Sequence, residues 1–181
     1  PAARPLLMWE SIFPCARAEK DWNNPAPRIR AARWVVKWLV HLAPGLPSVH
    51  PLDAEGPEEC IRLLMNTFVT SYALMEYHVP SYYRWLQEQP AEVFEWAYRD
   101  YYRQLQVLQW QRPVPGHWLL KSPAHLYTLP ALMKVFPDAA VIQTHRDPHK
   151  VVPSLCSLFA VYRGIGSDAV RNRRLGPELL E

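Results

Sequence analysis

The sequence predicts an α/β fold, a parallel sheet interrupted by a large helical insertion. Three observations lead there. Beyond residue 117 the chain alternates short apolar runs with helical segments, in the order strand, helix, strand, helix that a parallel sheet with crossover helices requires. Upstream, residues 27–112 are dominated by helical periodicity. Finally, 181 residues with 49% apolar and 20% charged side chains suit one globular domain rather than a disordered chain.

The elements follow in order. Met8-Trp9-Glu10-Ser11-Ile12-Phe13-Pro14 is short and apolar around one acid, and reads as a strand end or an extended loop. From Pro27 to Leu42 the positions Ile29, Ala32, Val36, Leu39 and Val40 recur at helical spacing until Pro44 and Gly45 close the run. Pro47 to Gly56 is a connecting loop. Pro57-Glu58-Glu59 opens a helix, because Pro suits the first helical position and early acids complement the positive end of the dipole. That helix buries Cys60, Leu63, Leu64 and Phe68. Pro80 starts another. Between Pro90 and Trp110 no Pro or Gly interrupts a stripe of Val93, Phe94, Ala97, Tyr101, Leu105 and Leu108, which makes this the longest helix expected.

The second half changes character. His117 to Lys121 reads as a strand, Ala124 to Phe136 as a helix, Ala139 to Thr144 as a second strand and Lys150 to Tyr162 as a further helix, so a strand-helix-strand-helix half spans 117–163. Arg171 to Arg174 reads as a solvated basic tail.

Composition excludes several functions. Lys plus Arg is 20 and Asp plus Glu is 17, a formal charge of +3 that is too small and too dispersed for a nucleic-acid binder. The longest strongly apolar stretch, Trp34 to Leu42, contains Lys37 and His41 and falls far short of the roughly 20 residues of a membrane span. Cys15, Cys60 and Cys156 are an odd number without a close pair, which suggests neither a disulfide framework nor a zinc site and points to a reducing, cytoplasmic compartment. No His and carboxylate cluster has ligand spacing, so no metal is expected. Nineteen prolines against six glycines leave little room for a phosphate-cradling loop. The first residue is Pro, and nothing near it resembles a signal peptide, which suggests processing or a start inside a domain.

In parallel sheets ligands collect at the carboxyl ends of strands, and Lys121 and Arg146 fall at two such ends. Each is followed by a Pro and a helix start. Free N–H groups at the helix starts and the forked guanidinium suit a polyanionic ligand. The competing reading is that both are solvated charges.

The residues themselves resemble a family. Trp118-Leu119-Leu120-Lys121-Ser122-Pro123-Ala124-His125-Leu126, then Phe136-Pro137-Asp138-Ala139, then Thr144-His145-Arg146-Asp147-Pro148 with Ser154 eight residues after the Arg, resemble the nucleotide-binding half of a sulfotransferase of the bacterial-type or tyrosylprotein-like branch. Weaker matches at Met8-Trp9-Glu10, Pro57-Glu58-Glu59-Cys60, Val79-Pro80-Ser81-Tyr82 and Trp85-Leu86 extend the resemblance over most of the chain. It implies the nucleotide-kinase-like sulfotransferase fold and 3′-phosphoadenosine-5′-phosphosulfate as sulfuryl donor. It makes residues 1–181 a single partial sulfotransferase domain, with 27–112 on the acceptor side. The acceptor would be a small molecule or peptide carrying a hydroxyl.

Site residues follow from the same resemblance. Arg146 and Ser154 match the positions that hold the 3′-phosphate, although Pro153 removes a backbone donor beside Ser154. Lys121 matches the lysine facing the sulfuryl group, where a cation stabilises charge accumulating on the bridging oxygen. The acceptor hydroxyl needs a general base. Glu10 is the first choice, because its apolar neighbours in sequence suggest a pocket that raises a carboxyl pKa. A buried ion pair is the alternative. His50, a loop imidazole, is the runner-up, because His is the side chain most suited to proton transfer near neutral pH. His125 could line the site or serve packing.

The family's amino-terminal strand and Gly-bearing phosphosulfate loop have no counterpart before Glu10, and Gly164-Ile165-Gly166-Ser167 does not replace them. The resemblance therefore implies a domain without its first strand and loop, with weak nucleotide affinity and little turnover on its own. Two further classes remain. A kinase-like nucleotide enzyme shares the sheet and phosphate loop. A non-catalytic interaction module would use the Trp and Tyr residues between Tyr72 and Trp118.

Overall fold

Ala3–Pro5 (β1) and His117–Leu119 (β2) pair in parallel, with Arg4 opposite Trp118. This pair is the whole sheet in the computed structural model, which describes residues 3–16 and 18–180; Pro1, Ala2 and Glu181, the outer ends of the expected domain, and Arg17 lie outside it. The fold is thus mixed α/β with a small parallel sheet and mostly helices. β1 has no signature of its own, since three residues including a Pro show no period. Its partner makes it a strand, and an edge position tolerates Pro5.

Ala91–Gln111 (α7) is the expected long helix, and its buried stripe Ala97, Tyr101, Leu105 and Leu108 forms the main core with Leu6, Cys60 and Leu63. At 21 residues it runs about 31 Å. Leu129–Val135 (α8) packs against it. A second core joins Met8–Ile12 (α1) to Ala26–Leu42 (α2) through Trp9 and Ala32. A third sits where Leu46–Val49 (α3) meets Pro148–Gly166 (α9). Ile61–Leu64 (α4), Tyr72–Glu76 (α5), Pro80–Gln87 (α6) and Asn172–Leu180 (α10) complete the helices.

Four expectations are corrected. Met8 to Ile12 is helical, stabilised where Leu7 N–H donates to Glu10 Oε2 at 3.1 Å. Pro57-Glu58-Glu59 does not open a helix, because Leu7 bridges Pro57 and Glu58 N–H donates to the Leu6 carbonyl at 2.9 Å. The helix begins at Ile61 instead, and Phe68, expected in the core, sits at φ 57° and is 78% exposed. Ala139 to Thr144 is not a strand. It is irregular and solvated, with Ile142 88% exposed, and no strand pairs with it among the described residues. Extended backbone without a partner leaves its N–H and C=O groups to water, and side-chain propensity alone does not make a strand. The basic run is solvated as expected, residues 171–174 all being exposed, but Arg173 and Arg174 lie in a helix, α10, held to α9 by buried Leu175 and by Glu178 accepting twice from Arg163, at 3.0 and 2.6 Å.

Candidate functional site

Lys121 lies two residues past the carboxyl end of β2, and its backbone is fixed before its side chain is. The Lys121 carbonyl accepts from Cys60 N–H at 3.1 Å and from the Cys60 thiol at 3.4 Å. The ammonium, on a side chain 74% exposed, pairs with Glu59. Ser122 then caps the 3₁₀ turn Pro123–Thr128, accepting from Ala124 N–H at 3.2 Å.

Glu59 and Glu58 face two different partners. Glu58 is buried, and its Oε1 lies 3.4 Å from His50 Nε2 while its Oε2 lies 3.2 Å from Arg62 Nε. Burial alone would raise its carboxyl pKa. The His50 hydrogen bond and the Arg62 charge outweigh that, and Glu58 is held below the usual carboxylate range. Arg62 continues from Glu58 into a cavity of about 130 Å³ lined by Leu39, Leu46, Tyr72 and Tyr162. Thus His50–Glu58 and Glu59–Lys121 are two pairs held by adjacent residues, with Glu59 N–H donating to Glu58 Oε1 at 2.7 Å, drawn from the loop after α3, the turn before α4 and the loop after β2.

Behind these pairs lies a buried polar network. Cys60 Sγ is 3.0 Å from His125 Nε2, His125 Nδ1 is 2.9 Å from the Tyr98 hydroxyl, and that hydroxyl is 2.7 Å from Thr128 Oγ1. Burial pulls His125 down to about 4 and pushes Cys60 up to about 11 and Tyr98 to about 12, so all three are neutral near pH 7. This is the reverse of the shifts that make a thiolate–imidazolium nucleophile.

Glu10 is not in an apolar pocket. Its carboxylate accepts from Arg4 Nη2 at 2.9 Å and from Arg112 Nε and Nη2 at 3.0 and 3.1 Å, and both Arg4 and Glu10 are essentially inaccessible, at 2% and 1% exposure. Arg4 also lies 3.7 Å from the centre of the Trp118 ring and donates to the Leu108 carbonyl, tying β1 to β2 and α7. The Glu10 carboxylate thus meets guanidiniums instead of the apolar side chains beside it in sequence. No hydrogen bond or ion pair joins Glu10 to His50 or Lys121 among the described residues.

Arg146 and Ser154 are both exposed. Arg146 ends the irregular segment that precedes α9, and Ser154 sits in the second turn of that helix beside Pro153. Asp147 caps α9, accepting from His149 N–H at 2.9 Å. Glu58 and Glu59 were missed as site residues in the sequence because two acids after a Pro read as a helix opening. The available signal was that they follow a loop His and precede a buried Cys.

A broad, mainly apolar groove of about 610 Å³ runs between α7 and β2, lined by Tyr102, Leu105, Trp110, Trp118, Leu120 and Phe136. It is where the expected aromatic helical region opens to solvent. Among the described residues no group of three or more His, Cys, Asp or Glu could hold a metal ion, and no helix is long and apolar enough to cross a membrane.

The model of the family described as "Sulfotransferase family" matches residues 1–179. The crystal structure of sulfotransferase STF1 from Mycobacterium tuberculosis H37Rv (type 1 form) is similar, with a TM-score of 0.70 and 30% identity over 98% of this chain. This chain covers 50% of that one, so it spans about half the length of its solved relative. No curated protein sequence matches.

Proposed function

Taking as premise that the chain belongs to the sulfotransferase family, we propose that it is part of an enzyme that transfers a sulfuryl group from 3′-phosphoadenosine-5′-phosphosulfate to an acceptor hydroxyl, with His50 as base and Lys121 at the leaving oxygen, residues 1–181 turning over little by themselves. The observation that carries this reading is that adjacent Glu58 and Glu59 each hold one partner, His50 and the Lys121 that follows β2. The acceptor oxygen attacks sulfur in line. The bond from sulfur to the bridging oxygen breaks, and its electron pair stays on the phosphate. Lys121, oriented by Glu59, stabilises that charge. The acceptor proton passes to His50. Glu58, facing Nε2 at 3.4 Å, orients the ring so that Nδ1 is the proton acceptor.

Glu10 is a structural ion in this reading rather than the base, since two guanidiniums already occupy its oxygens. Arg146 and Ser154 hold the 3′-phosphate at the start of α9, Arg146 through its forked donors. Both are exposed and free to meet a nucleotide. The acceptor is a small molecule or peptide, and no nucleic acid takes part. The location is cytoplasmic, which the free thiols of Cys15, Cys60 and Cys156 support.

The test is sulfuryl transfer from labelled donor to a panel of phenol, sugar and lipid hydroxyls, together with binding of 3′-phosphoadenosine-5′-phosphate. His50→Ala and Lys121→Ala should lower transfer by about a hundredfold or more while leaving nucleotide binding, and Arg146→Ala should weaken binding. Unchanged affinity in Arg146→Ala would remove the 3′-phosphate assignment. Unchanged transfer in His50→Ala would remove the base.

A further inference from the structure

The outer face of α2 is built differently from the rest of the surface. Arg30, Arg33, Trp34, Lys37, Trp38, His41 and Leu42 are all exposed, and they recur at intervals of three and four residues along one side of the helix. The two indoles lie together, with ring centroids 5.6 Å apart, and Trp38 meets His41 edge-on at 5.5 Å. Trp34 is 62% exposed, Trp38 45% and Leu42 59%. Within Ala26–Leu42 there is no Asp or Glu at all. Arg33 pairs with Glu55, while Arg30 and Lys37 have no ion-pair partner among the described residues.

We propose that this face of α2 is a docking surface for an anionic lipid bilayer, with Trp34, Trp38 and Leu42 entering the headgroup region and Arg30, Lys37 and His41 meeting the lipid phosphates. Indole suits that position because its body is apolar and its N–H stays wet. Basic residues flanking such rings, with no acid in the helix and Glu55 paired with Arg33, are the pattern of a helix lying in a membrane interface. At 17 residues the helix offers about 25 Å of length for lying flat on a surface. The stripe also argues against other occupants. A second copy docked by the same face would set Arg30 and Lys37 against like charges, since an isologous contact repeats the same residues on both sides. An apolar segment covering the indoles would have to strip water from those unpaired cations. The inference is independent of sulfuryl transfer, because no residue of the reaction lies on α2.

The experiment is co-sedimentation of the chain with vesicles of phosphatidylcholine alone and of phosphatidylcholine mixed with phosphatidylglycerol, at low and high salt. Binding to the mixed vesicles at low salt, with a blue shift of Trp fluorescence, is expected. Lys37→Glu, which changes two charge units, should weaken it by more than about tenfold. Trp34→Ala with Trp38→Ala should weaken it about tenfold or more. Trp96→Ala, at an exposed indole on α7, should leave it unchanged. All four residues are exposed, so the fold is expected to survive, and circular dichroism checks it. Failure to bind mixed vesicles would overturn the proposal. So would equal loss in Trp96→Ala, or a dimer seen by light scattering that disappears in the Trp34 and Trp38 variant.

Discussion

The Cys60 thiol and the His125 imidazole meet at 3.0 Å, and both are neutral. The pair clasps the turn that carries Glu58 and Glu59 to the 3₁₀ turn that follows Lys121. Burial holds His125 at about 4 in the folded chain against an ordinary 6.5. Below 6.5 the unfolded chain takes up a proton that the folded one refuses, so stability present above 6.5 is lost as pH falls toward 4. The difference amounts to about 3 kcal/mol. Urea unfolding across that window should show this slope, and His125→Gln should flatten it.

The thiol of Cys60 should resist alkylation. It is fully buried and pushed up to about 11, so almost no thiolate exists near neutrality. Cys15 is exposed and should react first. Mass spectrometry of the iodoacetamide-treated protein should find Cys60 labelled only on unfolding. Rapid native labelling at Cys60 would contradict the burial.

Removing Glu10 should cost stability rather than chemistry. Glu10→Ala leaves Arg4 buried without its carboxylate, a loss of about 3 to 5 kcal/mol in denaturant unfolding. Activity per folded molecule should stay within about twofold in Glu10→Gln. A collapse of transfer at full folding would restore Glu10 as a base.

Lys121→Ala should do the opposite. Its side chain is 74% exposed, so stability should change by less than about 0.5 kcal/mol. Sulfuryl transfer should fall by about a hundredfold or more, because a cation at the leaving oxygen acts mainly in the transition state. Denaturation and steady-state rates on one preparation separate the two effects.

The long helices were legible because their cause is local. The stripe on α7 and the Pro–Gly stop after α2 can be counted along the chain. β1 and the environment of Glu10 were not, because their causes are remote: Arg4 finds Gln109 across 105 positions, and Glu10 finds Arg112 across 102. The apolar run Ala139 to Thr144 shows the converse error. Its residues favour a strand, yet pairing decides, and nothing described pairs with it. Lys121 was readable from its place after an apolar run. Glu58 and His50 face each other only because Leu6 and Leu7 hold the 57–58 segment extended. That contact lies between segments 50 residues apart and leaves no mark on either.

The Arg4 hydrogen bond to Leu108 spans 104 positions, a separation that favours late docking of β1. Closing so long a loop costs about 4 kcal/mol before any contact offsets it. α2 and α7 can form from neighbours alone, whereas the buried charges of β1 and α1 must stay hydrated until α7 and β2 exist to receive them. The amino-terminal strand should therefore dock last when the chain folds and leave first when it unfolds. Backbone amides of Arg4 and Leu6 should then exchange with solvent sooner than those in the middle of α7.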